Sequence, residues 1–210
     1  MYKKYPRTPH LPWSPGATND DKILYDVSHL ENKYVVVTEK RDGENTTMYP
    51  NHIHARSLDS KDHFSRHYIK ALHAKIKQDI PEGFRICGEN LHYTKSIHYN
   101  NLTDFFEVFS IWRYPLDGYD ICLAWGEVEE WCELLGLQHV PVLYKGVWDE
   151  NIIRNIPLDY DKVEGYVVRD ISRFTYQRFD ENVAKYVRKG HVQTDEHWMN
   201  QQLTPNGLKR

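Results

Sequence analysis

Three β-prone pieces, Val35–Thr38, Thr46–Tyr49 and Ile53–Arg56, follow one another closely, separated by Gly43 and by Pro50-Asn51. Turn signals this tightly spaced predict a meander of short strands. Strand-like segments recur at Phe84–Leu91, Phe105–Trp112, Val140–Tyr144, Val163–Arg169 and Val183–Arg188. Two stretches have helical spacing instead. Phe64, Tyr68, Leu72 and Ile76 recur every four residues, with Arg66, Lys70, Lys75 and Lys77 on the other faces, and Pro81-Glu82-Gly83 ends the run. A second helix is predicted over Cys122–Leu135, with Leu123, Trp131, Leu134 and Leu135 inward and Gly136 as its stop. Thr18 and Asp21 have the spacing of a helix start, so a short helix is expected near Asp20–Leu30. Before it, Pro6, Pro9, Pro12 and Pro15 favour an extended arm lying across the domain. There is no repeat, low-complexity tract or linker, so residues 1–210 read as one α+β domain built on antiparallel sheet.

At 210 residues, 40% hydrophobic and 13% aromatic, the chain can bury a proper core. No apolar run approaches the roughly 20 residues of a membrane span, and "MYKKYPRTPH" lacks the apolar core of a secretion signal. A soluble, cytoplasmic protein without membrane contact is expected. Cys87, Cys122 and Cys132 are odd in number and contain no Cys-x-x-Cys, so they read as packed, reduced thiols. The net charge of −3 leaves any nucleic-acid partner to be judged from local charge. Lys61, Arg66, Lys70, Lys75 and Lys77 stand against Asp62 alone, which suits either a helix that tracks phosphates or a solvated face. His52-x-His54 has no third ligand at a sensible spacing and is discounted as a metal pair.

Five polar constellations interrupt the strands. Lys40-Arg41-Asp42-Gly43 reads either as a nucleophilic lysine at a strand end or as a charged hairpin. Gly88-Glu89-Asn90 suits close approach of a ligand, with a carboxylate to accept from sugar hydroxyls, or an ordinary exposed strand. "FFEVFSIW" is mostly core, but one aromatic can serve as a base platform, where stacking gains roughly 1–3 kcal/mol. Glu164 and Arg169 bracket a β-run and suit a metal and a phosphate. Lys185, Arg188 and Lys189 close the series, with Lys185 and Lys189 on one face of a regular strand; a charged edge strand is the alternative.

The order of these pieces resembles the motif series of the covalent nucleotidyltransferase superfamily, which includes ATP-dependent DNA and RNA ligases and capping enzymes. "TEKRDGENTT", "HARSLDS", "CGENLHY", "FEVFSIW", "VEGYVVRD" and "AKYVRKGHVQTDEHWM" look closest to small bacterial and phage RNA ligases. The resemblance implies an ATP-grasp-like adenylation domain of antiparallel sheets flanked by helices. It also implies a three-step reaction: Lys40 takes AMP from ATP, AMP passes to an RNA 5′-phosphate, and a 3′-hydroxyl displaces it. ATP and Mg²⁺, with Mn²⁺ as a substitute, are the implied cofactors.

Carried over by motif, Lys40 is the nucleophile, Glu39 borders the adenine edge, and Arg56 contacts phosphate or the RNA end. Glu89 holds the ribose, Phe109 packs on adenine with Phe106 as its alternative, Glu164 is the metal carboxylate, and Lys185 grips the α-phosphate. Asp42 is either part of the site or a turn stabiliser. Relatives often end in Lys-x-Lys, whereas Val187 holds the second position here, leaving Arg188 or Lys189 as substitutes. Only 21 residues follow Lys189, so no carboxyl-terminal oligonucleotide-binding (OB) domain is expected, and substrate engagement would rest on this domain or on a partner protein. "HVQTDEHWM" either covers the nucleotide or meets RNA. A DNA ligase, a lone adenylyltransferase and a non-catalytic nucleotide- or RNA-binding module are the alternatives.

Overall fold

The computed structural model describes residues 2–59, 62–114, 118–190 and 203–209. After an extended arm and a 3-10 turn at Ser28–Leu30 come β1 (Tyr34–Lys40), β2 (Glu44–Met48) and β3 (Ile53–Ala55). A 3-10 turn at Phe64–Arg66 runs into α1 (His67–Ile76), followed by β4 (Phe84–Asn90), β5 (Phe106–Arg113), β6 (Ile121–Cys122) and α2 (Trp125–Leu135). Then come β7 (Gln138–His139), β8 (Val142–Val147), α3 (Glu150–Arg154), β9 (Gly165–Asp170), β10 (Phe174–Thr175) and β11 (Val183–Val187).

The strands form two sheets. One has the antiparallel order β11-β9-β1-β8; the other runs β10-β6-β5-β4-β2-β3, with β7 joining β5 in parallel. β2 and β3 pair as the meander reading expects, but β1 does not pair with β2. Arg41-Asp42-Gly43 is therefore a crossing from one sheet to the other, and the charged-hairpin reading of this stretch fails.

β1 is a central strand buried on both faces, which explains its run of valines. Val35, Val36 and Val37 are all inaccessible, and burying each contributes roughly 1.5–3 kcal/mol. Because successive side chains alternate, Val36 packs with Met48, Ile86, Phe106 and the helices, while Val35 and Val37 pack with Leu11, Trp148 and Tyr166.

The proline-rich arm lies along the outer edge of β11, as an extended segment should. Lys185 N donates to Pro9 O at 2.9 Å, Leu11 N to Lys185 O at 2.8 Å, and Gly16 N to Val187 O at 2.9 Å. The edge of β11 is thus covered by backbone rather than merely kept soluble by charge.

The expected helix over Asp20–Leu30 does not form beyond the turn at Ser28–Leu30. Asp21 does accept from Thr18 N and Oγ1, at 3.1 and 2.9 Å, but this closes a single turn. The next backbone groups pair with the arm, His10 N to Lys22 O and Leu24 N to His10 O, and no longer serve a helix.

Both long helices bury a face centred beside the expected one: Ile76 and Leu123 lie in the core and Tyr68, Leu72, Trp131 and Leu135 pack at its margin, whereas Phe64 and Leu134 do not. In α1 the inward residues are Ile69, His73 and Ile76; Phe64 falls in the preceding 3-10 turn and is 54% exposed. Arg66 is buried and bonded to Glu44, at 2.8 and 2.5 Å. α2 buries Trp125, Val128 and Cys132, and leaves Leu134 76% exposed. All three cysteines are free and buried, and burial pushes Cys122 and Cys132 up to about 11 and 12. Among the described residues no helix is long and apolar enough to cross a membrane.

Candidate functional site

Register places the site in the cleft between the sheets. Thr38 pairs with Val167, and Val167 with Lys185, so Thr38, Lys40, Val167, Arg169, Val183 and Lys185 share the face of the first sheet that looks into the cleft. These six residues line a cavity of about 250 Å³, joined from the second sheet by Asn45, Glu89, Phe109 and Ser110. A bulge in β5 explains how neighbours both reach it. Cys87 pairs with Ser110 and Gly88 with Val108, so Phe109 is the extra residue and turns to the cavity beside Ser110. Phe106 lies on the opposite face, fully buried in the other core, which decides between the two aromatics for this wall.

Gly88 does not mark a ligand. A Cβ there would lie 2.4 Å from Cζ of Phe106 and 2.7 Å from the Glu107 carbonyl, so the ring of Phe106 and the next strand occupy that space. Gly43 is required for a similar reason: its Cβ would come within 2.5 Å of Asn90 O, where β2 leaves the crossing and meets β4.

Lys40, at the end of β1, pairs in register with Gly165, which sets the preceding Glu164 beside it. Nζ donates to Glu164 Oε2 at 2.6 Å. Burial acts to lower the Lys40 amine, but the carboxylates of Glu164 and Glu89 outweigh it and hold the ammonium form. Lys185 shifts the other way, lowered by burial and then by the charge of Lys40. Glu89 accepts from Gly43 N at 3.1 Å, and burial raises it to about 7 despite Lys40 and Lys95. Glu39 and Arg56 also line the cavity, Arg56 just beyond β3.

All the carried-over residues except Glu164 therefore border one cavity, and Glu164 is bonded to Lys40 at its wall. Arg188 and Lys189 do not line it; Arg188 N instead donates to Glu164 O at 3.0 Å as β11 ends. The stretch "HVQTDEHWM" and Lys61 lie outside the described residues.

Asp42 proves to be a fastener. It is buried and accepts from Ser96 N, Ser96 Oγ and Ile97 N at 2.8, 2.7 and 2.8 Å, while its own N–H donates to the Tyr99 hydroxyl. The loop from Leu91 to Phe105 is thereby tied to the crossing after Lys40. Its far side is held by Asn206, which accepts from Thr94 Oγ1 and Tyr99 N and donates to Leu91 O.

Several lining residues had no signal in the sequence. Arg41 forks onto Glu107, at 2.6 and 3.1 Å, and also pairs with Glu39, fixing that carboxylate at the rim. Tyr5, Arg7 and Asp21 come from the arm and the turn after it. Tyr5 meets Phe109 edge-on with ring centroids 4.9 Å apart. Asn45 was legible in principle, because it lies two residues past Gly43 and pairs with Glu89.

The basic stripe is thinner than expected. Arg66 is spent on Glu44, and Lys70 pairs with Asp62 at 2.5 Å. His54 bonds the Ala55 carbonyl and His52 stacks on Tyr2, and no cluster of three or more metal-ligating side chains occurs among the described residues. Magnesium does not require one, since it commonly takes one or two carboxylates plus substrate phosphates. Glu164, beside a cavity rimmed by cations, fits that mode of binding.

Comparison with protein families matches residues 33–187 to the family described as RNA ligase. No curated protein sequence matches the chain. Among solved structures, the fold resembles RNA ligase from Naegleria gruberi. A variant in the apo form gives a TM-score of 0.55 at 16% identity, over 80% of this chain and 52% of that one. The same ligase with pyrophosphate gives 0.54 at 16%, over 80% and 53%, and a variant with ATP and Mn gives 0.52 at 16%, over 77% and 52%. The chain spans about half the length of these structures.

Proposed function

Since this chain belongs to the RNA ligase family, we propose that it is an ATP-dependent RNA ligase that seals a 5′-phosphate to a 3′-hydroxyl through a lysyl-AMP intermediate. The observation that carries this reading is the Lys40 amine, 2.6 Å from Glu164 in the wall of a cavity that also presents Glu89, Phe109, Arg56 and Lys185. A pure binding module gains nothing from a half-buried lysine held against a carboxylate in the cavity wall.

In the proposed reaction the Lys40 lone pair forms a bond to the α-phosphorus as pyrophosphate leaves with the electrons of the broken P–O bond. The amine must first lose its proton. Glu164 favours the ammonium form, whereas the positive charge of Lys185 opposes it. A Mg²⁺ or Mn²⁺ ion held by Glu164 would neutralise phosphate charge and weaken the pull of that carboxylate on Lys40. Glu89 accepts from the ribose hydroxyls, Phe109 and Tyr5 bound the base, and Glu39, fixed by Arg41, faces its edge. Arg56, just outside the end of β3, contacts a phosphate, of the nucleotide or of the RNA end, in this reading. Positioning and charge neutralisation dominate each in-line transfer.

Incubation with α-labelled ATP and Mg²⁺ tests the first step. Wild type is expected to take up covalent label and Lys40→Ala none; label on the alanine variant would remove Lys40 as nucleophile. Sealing of matched strands ending in ribose or deoxyribose tests the substrate, with ribose at the joining 3′ end preferred. Equal sealing would favour a general polynucleotide ligase.

A further inference from the structure

We propose that Arg7, carried by the proline-rich arm, holds the leaving pyrophosphate of ATP during adenylylation of Lys40. The proposal rests on the ligase reading above and assigns a residue to one of its steps.

The arm is part of the nucleotide cavity rather than packing behind it. Tyr5, Pro6, Arg7 and Thr8 all line it, together with Lys40, Arg56 and Lys185. Backbone bonds between Pro9, Leu11 and Lys185 fix the arm's register, so Arg7 stands two residues before the one bonded to the Lys185 amide. Its guanidinium is steered by one bond, Nη1 to Asp20 O at 2.8 Å. The neighbouring Asp21 carboxylate is occupied by the Thr18 amide and hydroxyl.

Charge pairing separates the cations around the cleft into two sets. Lys40 is paired with Glu164, Arg41 with Glu107 and Glu39, Arg66 with Glu44, and Arg85 with Asp120. Arg7, Arg56, Arg169 and Lys185 have no carboxylate within ion-pair distance among the described residues, and all four line the same cavity; of these Arg169 is buried and donates to the backbone carbonyls of Asp170 and Leu123, which leaves Arg7, Arg56 and Lys185 for a ligand. Unpaired cations converging on a cleft call for a polyanion, and the triphosphate tail is the polyanion this reaction brings.

In-line displacement then divides the work. The Lys40 nitrogen bonds to the α-phosphorus from one side, the bond to the bridging oxygen breaks on the other, pyrophosphate takes the electron pair, and the amine proton passes to solvent. The leaving group must point away from Lys40. Arg7, on the arm that walls one side of the cavity, is the cation assigned to that leaving group, and its exposure lets the product depart.

Arg7 meets only the triphosphate, so the steps can be separated. Arg7→Ala is expected to slow labelling by α-labelled ATP at least about tenfold and to raise the pyrophosphate concentration that strips AMP from the loaded enzyme. Arg7→Lys should recover part of both. Sealing of pre-adenylylated RNA without ATP should stay within about twofold of wild type. Labelling at the wild-type rate would overturn the assignment, as would an equal loss in both assays, which would make Arg7 an RNA contact or a structural residue. Wild-type protein that seals pre-adenylylated RNA but never labels would remove the ATP-dependent step and the role of Arg7 with it, and wild-type protein that does neither would sink the ligase reading itself.

Discussion

At the residue scale, Glu89 offers a test that does not depend on turnover. Its folded pKa of about 7 lies above the ordinary carboxylate value, chiefly through burial. The sign follows by linkage: its contribution to stability is fully present below the unfolded pKa and is lost as pH rises through about 7. Glu89→Gln keeps an acceptor for Gly43 N without the buried charge. Its melting temperature should exceed wild type at pH 8 and match it at pH 4, below the ordinary value of 4.5; a constant difference across that range would show that ionisation is not the cause. That Lys40, Glu89, Glu164 and Lys185 meet at one cavity was legible because each sits inside a local motif. Arg41 stood in plain view beside Lys40, yet its partner Glu107 is 66 residues away, and nothing local marks such a pair. The role of Asp42 was open for the same reason, since its acceptors' partners, Ser96 and Ile97, lie on a loop without periodicity.

At the element scale, strands were read more accurately than helix faces. β-branched runs such as Val35–Val37 announce a strand whichever sheet it joins, but the sheet change at Arg41–Gly43 depends on pairings with β8 and β9 that only the fold reveals. In the first stripe Phe64 fell out of phase with α1 because it lies in a 3-10 turn, which advances three residues per turn. The bulge in β5 could not be read at all, and it is what aims Phe109. The stacked ring and strand at Gly88 predict that Gly88→Ala costs about 1–3 kcal/mol in urea unfolding. A neutral substitution would show that Phe106 can move aside.

At the scale of the whole molecule, distant segments hold the site together. The segment 203–209 clasps the loop after β4, and that loop is fastened by Asp42 to the crossing behind Lys40. Asn206→Ala leaves Tyr99 N and Leu91 O without their partners, and should destabilise the fold by about 1–3 kcal/mol. If the clasp transmits order to the crossing, amide hydrogen exchange at Ser96–Tyr99 and at Asp42 should quicken together. Exchange unchanged at Asp42 would confine the clasp to its own loop.

The arm along β11 has a further consequence, for the fate of damaged molecules. One strip of backbone both walls the cavity and caps the open ladder of β11. A molecule that loses the strip to proteolysis therefore gains a bare strand edge as it loses its pocket. Such a molecule is expected to pair edge to edge with its like, so loss of the strip would be read as aggregation together with loss of the pocket.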